Sequence, residues 1–309
     1  MTNRERIEGG LWGLLVGDAL GVPYEFHEPQ DLPPLQEIEF DPPSGFWRAH
    51  ASVLPGTWSD DGAQALCLLA SLLHTQKFEA TDFANRLVNW YEHGYMAINH
   101  YVFDVGIQTA KAIQNLQRGI KPLEAGSSEE YSQGNGSLMR VLPLALWHEG
   151  SDAELVEDAH NQSKVTHGHI NVQVCCAFYC LWARRMLEQS SDAWKEAGKA
   201  LEQLYESQPQ YLSAFNGIFR EDITRTPTGS GFVIDSLFSA KWALEQGSYE
   251  QVVKAAVSLG SDTDITACIA GGIAGIRDGV SAIPTRWLEK LRERETVQPL
   301  LEQLLKRYK

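Results

Sequence analysis

The stretch Gly260-Ser-Asp-Thr-Asp-Ile-Thr-Ala-Cys-Ile-Ala-Gly-Gly-Ile-Ala-Gly275 sets two carboxylates, Asp262 and Asp264, at the mouth of a run of small apolar residues. It predicts a core helix. Ser261 or Asp262 can cap the first turn by accepting an orphan backbone N–H, and acids suit the positive end of the helix dipole. Ala267, Gly271 and Gly275 recur every four residues and so share one face. A face without side chains lets a second backbone come close. The far end of the chain offers the partner: residues 4 to 21 read as a helix despite Gly9, Gly10, Gly13, Gly17 and Gly21. Each interior glycine costs about 1 kcal/mol relative to alanine, so this spacing needs a reason. A crossing of the two helices supplies one.

An acidic helix start appears a second time, at Ser59-Asp60-Asp61-Gly62-Ala63-Gln64-Ala65-Leu66-Cys67, and Glu25 ends Gly17-Asp-Ala-Leu-Gly-Val-Pro-Tyr-Glu25. Either start alone reads as a helix cap. Meeting in space, they would form a cation site. Two unit charges about 4 Å apart repel by roughly 4 kcal/mol at an effective dielectric near 20. Convergent carboxylates must therefore be partly protonated or neutralised by a cation, and an oxygen-only donor set suits Mg²⁺, Mn²⁺ or Ca²⁺ rather than zinc or copper.

Between these stretches the pattern is helix after helix. Leu66, Leu69, Leu72 and Leu73 form one apolar face, Phe83, Leu87 and Trp90 the next, and Ile107, Ala110, Ile113 and Leu116 a third. Ser151-Asp-Ala-Glu154 and Ser248-Tyr-Glu-Gln251 fit the capping box. Residues 170 to 188, 191 to 206, 230 to 246, 249 to 258 and 285 to 307 read as helices. Residues 22 to 57 hold seven of the thirteen prolines and form a long connection of the kind that often serves as a lid or binding loop. Short strands such as Gln36–Phe40 fit within it. The expectation is all-α, a single domain over residues 1–309 carrying a Pro-rich loop at 22–57.

A net charge of −14 argues against non-specific binding to nucleic acid or anionic membranes, which a basic surface usually mediates. No apolar run approaches the length that spans a bilayer. The five cysteines at 67, 175, 176, 180 and 268 form no C-x-x-C pair and sit in apolar runs. They read as buried free thiols in a reducing compartment, which predicts a cytoplasmic protein.

Three further stretches could face a ligand. Gln133-Gly-Asn-Gly-Ser-Leu-Met-Arg140 is a Gly-rich turn leading into a helix, an arrangement whose free N–H groups suit phosphate, although Asn-Gly is also an ordinary turn. Thr228-Gly-Ser-Gly-Phe-Val233 is a similar helix-leading turn. In Thr166-His167-Gly-His169, His167 reads as a hydrogen-bonding or stacking residue and His169 as a surface one. Asp104, in Phe103-Asp-Val-Gly-Ile-Gln-Thr109, reads from its context as a helix cap.

In this order the motifs resemble those of the ADP-ribosylglycohydrolase family, which includes the dinitrogenase reductase-activating glycohydrolase. The matching residues are Gly17-Asp-Ala-Leu-Gly21 with Glu25, Ser59-Asp60-Asp61, Phe103-Asp104-Val-Gly106, Gly134-Asn-Gly-Ser-Leu-Met-Arg140, Thr166-His167, Gly231-Phe-Val233 with Asp235, and Ser261-Asp262-Thr-Asp264. The resemblance implies an orthogonal helical bundle and hydrolysis of the N-glycosidic bond between ADP-ribose and, most often, an arginine guanidinium. It implies metal ligands at Ser59, Asp60, Asp61, Asp262 and Asp264, and catalytic carboxylates among Glu25, Asp61 and Asp104. The turn carrying Gly134, Asn135, Gly136, Ser137 and Met139 would cradle the pyrophosphate. His167, with Gly231, Phe232 and Val233, completes the implied substrate site. The partner would be an ADP-ribosylated protein or small molecule.

Two positions depart from the family's pattern. Gly62 stands where a threonine usually follows the first Asp pair. Ile265 stands where a threonine or serine usually gives a hydroxyl to the metal, so the implied cofactor is Mg²⁺ or Mn²⁺ as one or two ions. Thr263 and Thr266 point elsewhere on the helix, since neighbouring positions diverge by about 100°. Two alternatives go with these departures: a catalytically weakened ADP-ribose-binding member of the same fold, and a hydrolase of another nucleotide-linked N-glycoside.

Overall fold

Two helices from opposite ends of the chain lie backbone to backbone and run antiparallel. In this computed structural model, which describes residues 1–220 and 225–308, they are the first and the thirteenth of the helices. The order is α1 (Asn3–Gly21), α2 (Asp60–Thr75), α3 (Ala80–His93), α4 (Ile107–Gln117), α5 (Pro122–Ala125), α6 (Leu142–Trp147), α7 (Asp152–Lys164), α8 (Ile170–Leu187), α9 (Ala193–Tyr205), α10 (Pro209–Ile218), α11 (Val233–Leu244), α12 (Tyr249–Ser258), α13 (Thr263–Asp278), α14 (Thr285–Lys290) and α15 (Arg294–Leu305). No strand occurs among the described residues, only isolated bridges between Ser127 and His167 and between Gly134 and Phe232. No helix among them is long and apolar enough to cross a membrane. The all-helical expectation holds.

The seam between α1 and α13 explains the glycines. A Cβ added at Gly9 would fall on the backbone of Gly275, one at Gly13 on Gly271, one at Gly17 on Ala267, and one at Gly21 on Asp264, each under 3.0 Å. α1 is buried nearly all round from its second turn onward, and α13 from Thr263 to Ile276, as expected of helices at the centre of a large core. Thr2 and Glu5 close α1 at its exposed start with a capping box.

This seam also positions the acidic residues. The carboxylate of Asp18, on α1, accepts the N–H of Ser59 at 2.9 Å and of Gly62 at 2.7 Å, which pins the start of α2 to α1. Thr263 donates its hydroxyl to Gly21 O at 2.8 Å. Phe26 N–H donates to Ser261 O, and Ser261 N–H to His27 O, both at 2.8 Å. Glu25 is thereby held beside the start of α13. One helix thus brings together three acidic motifs that lie far apart in sequence.

Several expectations need correction. Gln36–Phe40 is not a strand: Leu35–Glu37 forms a 3₁₀ turn. Ile38 and Phe40 are buried, but Tyr24 Oη both donates to Glu39 O and accepts its N–H, doing locally what a neighbouring strand would do. The helix expected over 285–307 is two, because Leu291 is extended and Glu293 left-handed, and Arg292 N–H donates to Gly56 O in the Pro-rich loop. Helix α11 starts at Val233 rather than 230, since the Asp235 carboxylate holds Thr228 and Ser230 in a turn ahead of it. Ile107, placed on an apolar core face by spacing, is 88% exposed. Both expected capping boxes, at Ser151 and Ser248, are present, and all five cysteines are buried free thiols.

Candidate metal centre and active site

The starts of α2 and α13, the end of the segment after α1, and the loop before α4 enclose a cavity of about 460 Å³, within the usual range of small-molecule pockets. Glu25, Asp60, Asp104 and Asp262 supply its acidic wall. Gly134, Asn135, Gly136, Met139, His167 and Gly231 line it as well. Sequence reasoning placed all ten at the site. Ile265 lies on the wall as well, and Thr263 and Thr266 are engaged elsewhere, by Gly21 O and Asp262 O.

Other expected site residues stand behind the wall. Asp61 and Asp264 are wholly buried beneath it. Ser59 caps α2, its Oγ accepting the Asp61 N–H at 3.2 Å. Ser137 is buried against Ser163 Oγ at 2.8 Å and Cys176 Sγ at 3.4 Å, so it supports the glycine turn rather than facing the cavity. Val233 is fully buried in the core, where its side chain cannot touch a ligand, and Phe232 projects outward beside the cavity. The glycine turn itself does not run straight into a helix: residues 135–140 form a bend and turns, and only the six-residue α6 follows.

Neither aspartate at the start of α13 caps it. Asp262 instead accepts from Asn135 Nδ2 at 3.0 Å. Asp264 Oδ1 accepts the Ile265 N–H at 2.8 Å. Asp60 Oδ2 accepts from Gln64 Nε2 at 2.7 Å. Three oxygens remain: Asp61 Oδ1 and Oδ2 and Asp264 Oδ2 are buried with no hydrogen-bond partner among the described residues. A buried carboxylate oxygen without a partner costs several kcal/mol unless it is protonated or coordinates a cation. Glu25, Asp262 and Asp264 each bring an oxygen within 4.8 Å of the others, and Glu25, His50 and Asp104 converge equally closely. The donor set therefore fits a hard divalent cation.

Burial first, then the neighbouring carboxylates, pushes Glu25, Asp60, Asp61 and Asp262 well above the ordinary carboxylate range. Asp104 rises to about 6, through burial and then Asp262. It is not a helix cap: Gly106 precedes α4 directly, and Asp104 sits in the left-handed region with φ 53°, a conformation that costs a residue other than glycine free energy and tends to persist at functional sites.

These shifts make the metal-free fold sensitive to pH. Carboxyls raised in the folded state stabilise it at low pH, and that contribution is lost as pH rises through the raised values. For Asp104 the window runs from its ordinary 3.8 to about 6, worth about 3 kcal/mol at most. The gain in melting temperature on replacing EDTA by Mn²⁺ is thus expected to grow between about pH 5.5 and about pH 8. A gain that shrinks over this range would contradict the clustering of charge.

Sequence reasoning missed His50, which contacts Glu25 Oε2 and lies 3.7 Å from Asp104, its ring between Phe26 and Phe103. Burial lowers the imidazole and raises the carboxyl, which favours a hydrogen bond between uncharged groups over an ion pair. Phe26, Gln108 and Thr109, also on the wall, carried no motif of their own. Asp18 stood inside the quoted Gly17–Gly21 motif, and a carboxylate on an otherwise apolar glycine helix was the available signal.

The sequence and the fold are similar to those of known proteins. The ADP-ribosylarginine hydrolase Tri1 of Pseudomonas putida (strain GB-1) is 31% identical over 305 residues, covering 98% of this chain and 78% of that protein. The ADP-ribosyl-[dinitrogen reductase] glycohydrolase of Rhodospirillum rubrum is 25% identical over 292 residues, covering 93% of this chain and 90% of that protein. A solved structure, the ADP-ribosylglycohydrolase-related protein complex, superposes with a TM-score of 0.79 at 28% identity over 98% of each chain. The family model for ADP-ribosylglycohydrolase matches residues 1–309, end to end. On that match, the chain belongs to the ADP-ribosylglycohydrolase family.

Proposed function

We propose that the chain hydrolyses the N-glycosidic bond joining ADP-ribose to an arginine side chain and releases ADP-ribose. The observation that carries this reading is the convergence of Glu25, Asp262 and Asp264, with Asp60 and Asp61 near enough to feel the charges of Asp262 and Asp264 and three oxygens of Asp61 and Asp264 buried without a partner among the described residues. The 31% identity to ADP-ribosylarginine hydrolases supports arginine as the modified residue. Asp60, Asp61, Asp262 and Asp264, with Glu25 beside them, would hold Mg²⁺ or Mn²⁺, which when bound supplies positive charge that orients ribose hydroxyls and a water. Ser59 Oγ, which spends one lone pair on the Asp61 N–H, keeps another for the same purpose.

Hydrolysis breaks the bond between C1′ and the guanidine nitrogen, adds the hydroxyl of water to C1′, and returns a proton to the leaving guanidine. The state between is oxocarbenium-like and positively charged, and fixed carboxylates stabilise it. Of the three candidate bases, Asp61 does not reach the cavity, whereas Glu25 and Asp104 do. Asp104, titrating near 6, is ionised at neutral pH yet basic enough to take a proton from water. Gly134 and Gly136 leave the wall without side chains where a ligand backbone of phosphates and ribose can lie close.

The test is incubation with ADP-ribosyl-arginine, with and without Mg²⁺ or Mn²⁺, followed by detection of free ADP-ribose. Asp104→Asn is expected to lower metal-dependent turnover about 10²- to 10⁴-fold, the usual range for a general base, with ADP-ribose binding retained. Full turnover by Asp104→Asn would remove Asp104 from the chemistry. Ile265, an alkyl side chain on the cavity wall, favours one specific second reading, a binder of ADP-ribose with weakened catalysis. ADP-ribose-dependent thermal stabilisation without release from any ADP-ribosylated substrate would select it.

A further inference from the structure

Arg140 belongs to the glycine turn by sequence, but its side chain points away from the cavity and is wholly buried. All five of its N–H donors are used, and every acceptor is uncharged. Nε donates to Gln162 Oε1 at 3.2 Å, Nη1 to Gln64 Oε1 at 2.8 Å and Gly136 O at 3.3 Å, and Nη2 to Gln162 O at 3.0 Å and Thr166 Oγ1 at 2.7 Å. The two glutamines are oriented by their other ends, Gln64 donating to Asp60 and Gln162 to Ser137 O. A guanidinium has no lone pair to give, so the direction of this network is fixed.

That direction passes on to His167. Thr166 Oγ1 accepts from Arg140 and lies 2.7 Å from His167 Nδ1. Its own hydrogen has one acceptor among the described residues, the lone pair of Nδ1. The opposite arrangement, Nδ1–H donating to Oγ1, would leave a buried hydroxyl hydrogen unpaired, which disfavours it roughly ten- to a hundredfold. The doubly protonated ring is disfavoured too, since burial and then the Arg140 charge hold the imidazole down to about 3. The other face of the ring opens on the cavity: His167 lines it, and a Cβ at Gly136 would lie 2.9 Å from Cε1 and 3.2 Å from Nε2.

We infer that Arg140, through Thr166, locks His167 in the tautomer with hydrogen on Nε2, so that the cavity carries a permanent neutral donor there and selects ligands that present an acceptor oxygen to it. Arg140 and Thr166 are positioning residues, and His167 is the group that touches ligand. The choice of ADP-ribose as that ligand rests on the proposed function; the tautomer does not.

The experiment is nitrogen NMR of histidine-labelled, Mg²⁺-loaded protein, with the His167 signals assigned by their loss in His167→Gln, and titration of ADP-ribose into the same samples. The wild type is expected to show one bare nitrogen at Nδ1 and one protonated nitrogen at Nε2, unchanged down to about pH 5. Thr166→Val, which keeps the shape and removes the hydroxyl, is expected to draw the two nitrogen signals together and weaken ADP-ribose binding about tenfold. Thr166→Ser, which keeps the hydroxyl, is expected to restore both. Hydrogen on Nδ1 in the wild type, or loss of the bare Nδ1 signal above about pH 5, would overturn the lock in a single spectrum that needs no variant. Mixed tautomers in Thr166→Val with unchanged ADP-ribose affinity would overturn the selecting role. A wild type that carries the expected tautomer but does not bind ADP-ribose would overturn the ligand assignment and leave the lock standing.

Discussion

Replacing Gly271 by leucine is expected to prevent folding, and Gly13→Leu to do the same. At both positions the atom an added Cβ would strike is backbone of the opposite helix, under 3.0 Å away. An overpacked core usually costs about 1–3 kcal/mol because neighbouring side chains can change rotamer. Here no side chain intervenes, so the helices must separate, and their separation uncovers two almost fully buried helices. A loss rivalling the whole stability of a domain, about 5–15 kcal/mol, follows. Gly217→Ala is the matched control: it lies inside α10 with nothing within 4 Å of the added carbon, and helix propensity should raise stability by about 0.5–1 kcal/mol. Thermal melts of the three variants check this, and a wild-type melt for Gly13→Leu and Gly271→Leu would contradict the seam.

Asp262→Asn and Asp60→Asn should have two effects of opposite sign. Each keeps the size of the side chain, and the amide oxygen can still accept from Asn135 at position 262 or from Gln64 at position 60. What is lost is one negative charge from a buried group of carboxyls that repel one another. The metal-free protein is therefore expected to melt higher than wild type, and the difference to grow as pH rises and the wild-type carboxyls ionise. Mn²⁺ affinity and metal-dependent turnover are expected to fall at least a hundredfold, about 2.7 kcal/mol. A variant that neither gains stability in EDTA nor loses Mn²⁺ affinity would show that these carboxylates do not form one site.

The two predictions rest on features that differ in how openly they stand in the sequence. Glycines at intervals of four were readable because a helix places them on one face and their cost demands a compensating contact. The doubled aspartates were readable because their residue type limits their chemistry, although only the fold makes them meet. His50 was not readable: it lies in an irregular loop, at φ 47°, where no period relates it to Glu25 or Asp104. Arg140 was legible as part of a motif, but its inward direction was not, since a turn does not tell from spacing which side chains face inward. Val233 and Ser137 were expected at the site and lie behind it for the same reason. Their backbones border the site while their side chains serve the core. The glutamate–tyrosine contact that stands in for a strand pair at Glu39 was hidden for another reason, because alternation of Ile38 and Phe40 marks burial and not the partner that satisfies the backbone.

Ile265 gives the site its own character. The residue that follows Asp264 has no oxygen, and the nearby hydroxyls of Thr263 and Thr266 are committed to backbone carbonyls. The unpartnered oxygens instead belong to Asp61 and Asp264, so any cation should be drawn toward the buried floor between α2 and α13. An anomalous-scattering map from crystals soaked in Mn²⁺ locates it directly. The expected result is a peak bounded by the carboxylates of Asp60, Asp61, Asp262 and Asp264, beside Glu25. A map without a peak there, or with Mn²⁺ only on surface carboxylates, would contradict the cation-centred site.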